Sequence, residues 1–444
     1  MCSEPWIVRS LLLVFAISTP SCSTSQSNAQ RVSHAPDPSA SVRYHAPGEF
    51  EPQEYIWMTW SENSWLGGPP MSDTILELVR ALTPYVRVRL LYSEWTSWLE
   101  QATNSHTPRT LEQARDRLLA KLRAAGIDLE RVSLLASPQL FGALQDPGPF
   151  FLRDQQDALA VADFRTPHPF PETEALDRTL AARIGLPTVS SSLVSDGGNR
   201  QSNGRGTLLI GAKYEQSINP SLTREEMARQ HLRVHGARKL IWLESGPADE
   251  EFGRLADGRW GIGTGGHIDE FARFADERTV LLLEVAEVDR ARDPARDPML
   301  AETHRRMEEN YAILAAATDQ DGRPLRILRM PAAEIMTATV RFDDLDRFER
   351  SWFEGAASGD TIEFYLPGSY LNFVLANGVV VAPRFFREGQ PDSVRRRDEA
   401  ARAALQAAFP DRTIVQIDVL PQLYDGGGLH CSTRNQPASR PRRR

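Results

Sequence analysis

Cys431 stands near the end of the chain behind three glycines, in Gly426-Gly427-Gly428-Leu429-His430-Cys431. Glycine adopts backbone conformations closed to other residues and crowds nothing, so such a run can bare a thiol and expose neighbouring backbone N–H groups to it. A thiol becomes a nucleophile at neutral pH when its anion is favoured, and a nearby cation does that directly. His267 is one source of the charge, and a cationic substrate is another. That histidine lies in a second glycine-rich stretch, Gly263-Thr264-Gly265-Gly266-His267-Ile268-Asp269-Glu270-Phe271. If the stretch is extended, alternation along a strand turns His267 and Asp269 to one face and Ile268 to the other. One pocket would then hold an imidazole and a carboxylate. A third punctuated stretch, Gln145-Asp146-Pro147-Gly148-Pro149-Phe150-Phe151, reads as a turn feeding a strand. The plainer readings are a buried structural cysteine behind a flexible loop and a glycine-rich turn with a satisfied histidine.

Other chemistries find less support. Gly261 to Gly266 matches G-x-G-x-x-G, but no clear strand leads into it, and no G-x-x-x-x-G-K-[ST] exists. His231 and His235 share a helix face at i, i+4, the spacing of a zinc pair, yet the Glu of H-E-x-x-H is missing and there is no C-x-x-C. They read as a solvated helix face, and no metal is expected. No G-x-S-x-G elbow supports a serine hydrolase.

The elements that must position these residues alternate. Extended segments are expected at 55–60, 86–91, 131–136, 159–164, 207–211, 239–243, 280–285, 325–330, 379–382 and 414–417. Helices are expected at 73–82, 111–125, 176–184 and 224–235. That alternation is the mark of an α/β protein. A loose strand–helix–strand cycle recurs at irregular intervals, without an exact repeat.

The chain has 444 residues, 41% hydrophobic and 25% charged, with a net charge of −8. These values suit a soluble globular enzyme and exclude a basic nucleic-acid binder. Arg9, the apolar run Leu11 to Ile17 and the small residues before Cys22 suggest a signal peptide over residues 1–22, with Cys22 a candidate for lipidation. Export to the periplasm, cell surface or medium is therefore expected, with membrane attachment only through a lipid at Cys22. Residues 23–48, rich in Ser, Gln, Ala, Pro and His, read as a flexible tether, and 49–437 as one catalytic domain. Residues 438–444 carry Arg440, Arg442, Arg443 and Arg444 and read as a solvated basic tail. Of three cysteines, Cys2 and Cys22 lie in the leader, so the folded body carries Cys431 alone and no disulfide is expected.

Taken together and in order, the glycine-rich clusters resemble the agmatine deiminase and bacterial-type peptidylarginine deiminase family. The specific matches are G-H-I-D-E-F at Gly266 to Phe271 and G-G-G-L-H-C-S-T at Gly426 to Thr433. Supporting them are D-P-G-P-F-F from Asp146, D-G-G-N from Asp196, G-R-G-T-L-L from Gly204 and S-Y-L-N-F from Ser369. The resemblance runs from about residue 48 to 437. It implies a five-bladed α/β propeller of pseudo-symmetric ββαβ units with a central site. It also implies Cys431 as nucleophile, His267 as general acid/base, and Asp146 and Asp269 as the carboxylates that grip a guanidinium, with no cofactor. A planar guanidinium suits paired carboxylates, which take its N–H groups with charge-assisted strength. Two departures stand out. Relatives show Arg where Gln145 stands before the first aspartate, which makes Asp154 of Arg153-Asp154 the fallback for Asp146. Asp196 stands where relatives often carry Glu. Asp196, Asn372 and Arg165 are candidates for substrate contact. An exported enzyme meets arginine in peptides more readily than agmatine, so the expected reaction converts arginine residues to citrulline, with agmatine as the alternative substrate. An amidinotransferase and a non-catalytic binding protein are the readings outside the deiminases.

Overall fold

The computed structural model describes residues 43–95, 110–137, 142–168, 171–291 and 298–439. The leader with Cys2 and Cys22, nearly all of the tether and the tail from Arg440 lie outside the described residues. The expected helices and strands are present with small shifts at their ends. Arg224–His235, Thr207–Gly211 and Lys239–Leu243 have the expected bounds. Local chemistry explains such agreement. The 224–235 helix opens on a capping box between Thr223 and Glu226 and closes on Gly236, at φ +57°.

Six small sheets carry the strands, and five share one construction. In each, an antiparallel pair is followed by a helix and then a strand that joins in parallel, a ββαβ unit. One unit takes Phe150–Asp154 and Leu159–Arg165, the helix Leu176–Arg183 and the strand Thr188–Val194. The next takes Arg200–Ser202, Thr207–Gly211, the 224–235 helix and Lys239–Leu243. A third takes Ala272–Phe274, Thr279–Glu284, the helix Pro298–Ala316 and Arg326–Pro331. A fourth takes Val374–Ala376, Val379–Arg384, the helix Asp392–Ala408 and Thr413–Asp418. The fifth joins the two ends of the described chain. Its antiparallel pair is Thr433–Pro437 with Gln53–Thr59, and the helix Met71–Leu82 leads to Arg87–Tyr92. The sixth sheet lies outside this scheme, in the order Phe252–Arg254, Trp260–Ile262, Thr361–Leu366, Met336–Arg341.

Parallel strands joined through helices bury both faces. Leu208, Leu209 and Ile210, Val280 to Leu283, and Val379 to Ala382 are accordingly all buried. The helices add apolar stripes to that core, such as Ile75, Leu78, Val79 and Leu82 on 71–82. Among the described residues no helix is long and apolar enough to cross a membrane.

Three expectations need correction. Tyr44–His45, assigned to the tether, is a strand paired with Arg153 and Asp154. A short strand, Trp260–Ile262, does run into the glycines of the 261–266 stretch, but a 3₁₀ turn follows rather than a helix. His231 and His235 are not solvated: both are buried, against Phe164, with His231 Nε2 2.8 Å from Glu215 and His235 Nδ1 2.9 Å from the His231 carbonyl. On that side their helix packs against the preceding unit's sheet, where Phe150 and Phe164 lie, and Glu215 supplies the polar partner that makes burial affordable.

Candidate active site

The five ββαβ units each contribute one loop, and each loop lies just before the unit's first strand. Asp146 precedes Phe150–Asp154, and Asp196 to Asn199 precede Arg200–Ser202. His267 to Glu270 precede Ala272–Phe274, Asn372 precedes Val374–Ala376, and Gly427 to Cys431 precede Thr433–Pro437. Residues far apart in sequence meet because equivalent points of successive units carry them.

Cys431 is 4% exposed. Its Sγ accepts from Asn372 Nδ2 at 3.1 Å and lies 3.4 Å from Glu270 Oε1 and 3.8 Å from Asp269 Oδ2. Asn372 binds the Cys431 loop twice more through its side chain, its Oδ1 accepting from the N–H of His430 at 2.7 Å and of Cys431 at 3.3 Å. The glycines are needed for this approach. A Cβ on Gly428 would lie 2.5 Å from Asn372 Oδ1, and one on Gly427 3.2 Å from Sγ. His430 does not face the open part of the site. Its Nδ1 is 2.6 Å from Asp269 Oδ2 and its Nε2 2.9 Å from Glu49, which also pairs with the buried Arg273.

His267 occupies the other side. Its Nδ1 is 3.6 Å from Asp146 Oδ1 and its Nε2 3.7 Å from Asp196 Oδ2, and neither nitrogen makes a hydrogen bond. Tyr214 packs edge-on against the imidazole, 4.3 Å between ring centres, and its hydroxyl donates to Asp196. The N–H of Gly198 donates to Asp146 Oδ1 at 3.0 Å. Gly198 marks the point where the groups converge. A Cβ there would stand 2.7 Å from His267 Nδ1, 2.9 Å from Asp146 Oδ1 and 3.3 Å from Asp269 Oδ2.

The charges are unbalanced in one direction. Burial, with Asp269, Glu270 and Asp146 nearby, pushes the Cys431 thiol well above its ordinary range. Burial and the adjacent Asp269 likewise push Glu270 up, and burial raises Asp146 to about 6. Among the described residues, the polar side chains within hydrogen-bond reach of Sγ are one amide and two carboxylates. The cation that favours a thiolate must then come from the substrate, the second of the two sources considered above. Among the described residues, buried Asp269 Oδ1 and both His267 nitrogens have no hydrogen-bond partner, so the site offers free acceptor capacity to a ligand with several N–H donors. The two triads Asp146–Asp196–His267 and Asp269–Glu270–Cys431 each bring ligand atoms within 4.8 Å of one another, so a metal cation would compete for the same groups.

The structure brings Cys431, His267, Asp146, Asp269, Asp196 and Asn372 together. It separates two other candidates. Arg165 points outward and pairs with Glu174, because it ends its strand on the exposed side. Asp154, the fallback for Asp146, caps the turn between two strands by accepting from the N–H of Gln156 and Ala158. Its role is local and Asp146 holds the place in the site. The extended reading of 267–269 also fails in detail. His267 is extended, but Ile268–Glu270 is a 3₁₀ turn, which sends Glu270 to the thiol. Glu270 was legible as part of the motif yet passed over, since strict alternation would turn it away. Tyr214 and Glu49 carry no local signal that singles them out, whereas Gly198 and His430 lie inside the D-G-G-N and G-G-G-L-H-C-S-T motifs.

Residues 45–437 match the Porphyromonas-type peptidyl-arginine deiminase family. The chain is 27% identical to the agmatine deiminase of Pseudomonas aeruginosa and 26% identical to that of Pseudomonas syringae pv. tomato, covering 89% of this chain and 96% of each relative. Among solved structures, agmatine deiminase of Enterococcus faecalis superposes with a TM-score of 0.66 at 20% identity, over 89% of this chain and 96% of that one. The agmatine deiminase of C. jejuni superposes with a TM-score of 0.61 at 18% identity, over 89% and 96%. The mixed α/β fold, with its many small sheets, is thus similar to that of these agmatine deiminase structures. The chain belongs to the Porphyromonas-type peptidyl-arginine deiminase family and is a hydrolase of the amidine and guanidine class.

Proposed function

We propose that the chain deiminates agmatine, converting its guanidinium to a ureido group and releasing ammonia. The observation that carries this reading is the ring of buried carboxylates around a thiol that lacks a cation of its own. Asp146 and Asp269 take the guanidinium N–H groups and hold its central carbon toward Sγ. Attack by the thiolate gives a tetrahedral adduct. His267 hands a proton to the departing amine, ammonia leaves, and a covalent thiouronium remains. Water then gives a proton to His267 as it adds, and collapse frees the ureido product and the thiolate. The five loops suggest the blades of a propeller set around Cys431.

The choice of agmatine reverses the preference for peptides. Relatives at 26–27% identity carry the name agmatine deiminase. Arg165, the candidate for the carboxylate of an arginine substrate, is instead paired with Glu174 at the exposed end of its strand. Arginine in peptides remains the second reading, supported by the family's description and by the leader. Export, with a lipid at Cys22, belongs to the same proposal; recovery of a Cys22→Ala variant in the membrane fraction as fully as wild type would refute the lipid.

Ammonia and ureido product should be measured from agmatine, free arginine and an arginine-containing peptide, with wild type and Cys431→Ala. Turnover of agmatine in preference to the peptide, lost in the variant, is the expected outcome. Preference for the peptide would restore the other substrate. No ammonia from any of the three would sink the deiminase assignment.

A further inference from the structure

We infer that Glu270 is the base that receives the thiol proton of Cys431 when a guanidinium binds, an inference that rests on the deiminase reading. Of the carboxylates around the nucleophile, Glu270 comes nearest, with Oε1 3.4 Å from Sγ against 3.8 Å for Asp269 Oδ2. Asp269 is already committed, since its Oδ2 is bound to His430 Nδ1 at 2.6 Å. His267, the other proton carrier, is flanked by Asp146 and Asp196 and makes no hydrogen bond to sulfur. The amide of Asn372 bridges the pair, donating to Glu270 Oε1 at 2.6 Å and to Sγ at 3.1 Å. Ser369, on the same loop as Asn372, binds the Glu270 carbonyl at 2.5 Å and fixes the 3₁₀ turn. Glu270 is therefore held at its carboxylate by Asn372 and at its main chain by Ser369, with Oε1 at the distance of a sulfur hydrogen bond.

The charged neighbours permit the transfer. Within its own segment Glu270 faces Asp269 and Arg273, and from the turn Ala248–Glu250 it faces Asp249 and Glu250. Glu250 is itself buried and pushed well up, by burial first and then by Glu270. Burial and the neighbouring carboxyls push Glu270 up, and the positive charge of a bound guanidinium counters both, favouring the ionised carboxylate beside the thiol.

The step balances. The S–H bond breaks with its electron pair left on sulfur, and an O–H bond forms on Glu270. The sulfur pair forms the C–S bond as a C–N π pair of the guanidinium moves onto nitrogen, giving a neutral adduct. His267 supplies the proton that leaves with ammonia and regains one from water. On collapse the thiolate leaves and takes back the proton from Glu270, and the proton lost by the new hydroxyl makes ammonium. The free enzyme keeps its sulfur as an unreactive thiol until a cation arrives.

The test compares wild type, Glu270→Gln and Glu270→Asp, each checked for a cooperative thermal transition. Agmatine turnover is followed from pH 6 to 10, together with the rate of Cys431 alkylation by iodoacetamide in free protein. Without its base, Glu270→Gln should lose about 10²-fold in kcat/KM at pH 7 and regain activity tenfold per pH unit above it. Glu270→Asp should fall between. Alkylation should titrate at lower pH in Glu270→Gln, because the negative charge beside sulfur is gone. Wild-type kcat/KM with an unchanged pH profile in Glu270→Gln overturns the inference. The alkylation arm needs no substrate: an unshifted midpoint overturns the pairing even if wild type deiminates nothing, and a shifted midpoint without turnover refutes the deiminase reading instead.

Discussion

Asp146 shows how burial sets the working range of a single residue. Its carboxyl is raised by burial from an ordinary 3.8 to about 6, while Gly198 supplies one N–H and the rest of the group faces His267 and Asp196. The ionised form is the one that accepts N–H groups from a guanidinium. As pH falls through about 6, Asp146 takes a proton and that acceptance is lost. Affinity for agmatine should therefore be constant at pH 7 to 8 and weaken by up to tenfold per unit below about 6. Calorimetric titration of Cys431→Ala, which binds without turnover, checks this, and a flat affinity from pH 5 to 8 would refute it. At this scale the sequence was informative where motif residues act through their type. Cys431, His267, Asp146, Asp269, Asp196 and Asn372 all reach the site. It was uninformative where a residue acts through the turn that aims it. Glu270 reaches sulfur only because 268–270 is a 3₁₀ turn, and Arg165 missed the site because its strand ends facing solvent.

At the scale of elements, legibility followed apolar content. Central strands of the sheets such as Thr279–Glu284 and Val379–Arg384 are rich in Val and Leu and lie close to their expected bounds. Edge strands that open their units are not marked in this way. Arg200–Ser202 and Thr433–Pro437 are wholly buried yet polar, and Ala272–Phe274 carries the buried Arg273, so no alternation marks them. Arg273 donates to the carbonyls of Leu371 and Phe373 at 2.9 and 3.0 Å, while the guanidinium groups of Arg200 and Arg434 stand over the ring of Phe150. The long helices Pro298–Ala316 and Asp392–Ala408 escaped for another reason, being dominated by Ala and charged residues. The helix Leu176–Arg183 contains a strain that can be measured. Burial first, and then the charge of Asp163, raise Asp177 from 3.8 to about 8. The folded state thus holds a proton that the unfolded chain has already released, so the cost grows as pH rises from about 4 and is complete above about 8. Asp177→Asn should raise stability by about 1–3 kcal/mol at pH 8 and by little at pH 4. Thermal melts at the two values decide it; an equal gain at both would show that the charge is not the cause.

Residues 43–439 are closed where one of their first strands meets their last. Thr433–Pro437 completes the sheet begun by Gln53–Thr59, so the last described strand pairs with one of the first, and Cys431 sits just before that seam. A thiol placed there is positioned only once the strand Thr433–Pro437 has joined its sheet. One buried hydrogen bond crosses the seam beside the backbone ladder, from Trp57 Nε1 to Gln436 Oε1 at 2.7 Å. Both side chains are buried, so removing either partner alone leaves the other unsatisfied, at about 1–3 kcal/mol. Trp57→Phe and Gln436→Leu should each destabilise by that amount in urea unfolding. The double variant should lose less than the sum, with a coupling of about 1 kcal/mol. Turnover adds the functional half of the argument. If the seam aims the thiol, kcat of each single variant falls under conditions where the protein is fully folded. Loss of stability with an unchanged kcat would mean that the seam closes the molecule while Asn372, through its bonds to His430 and Cys431, suffices to aim the thiol.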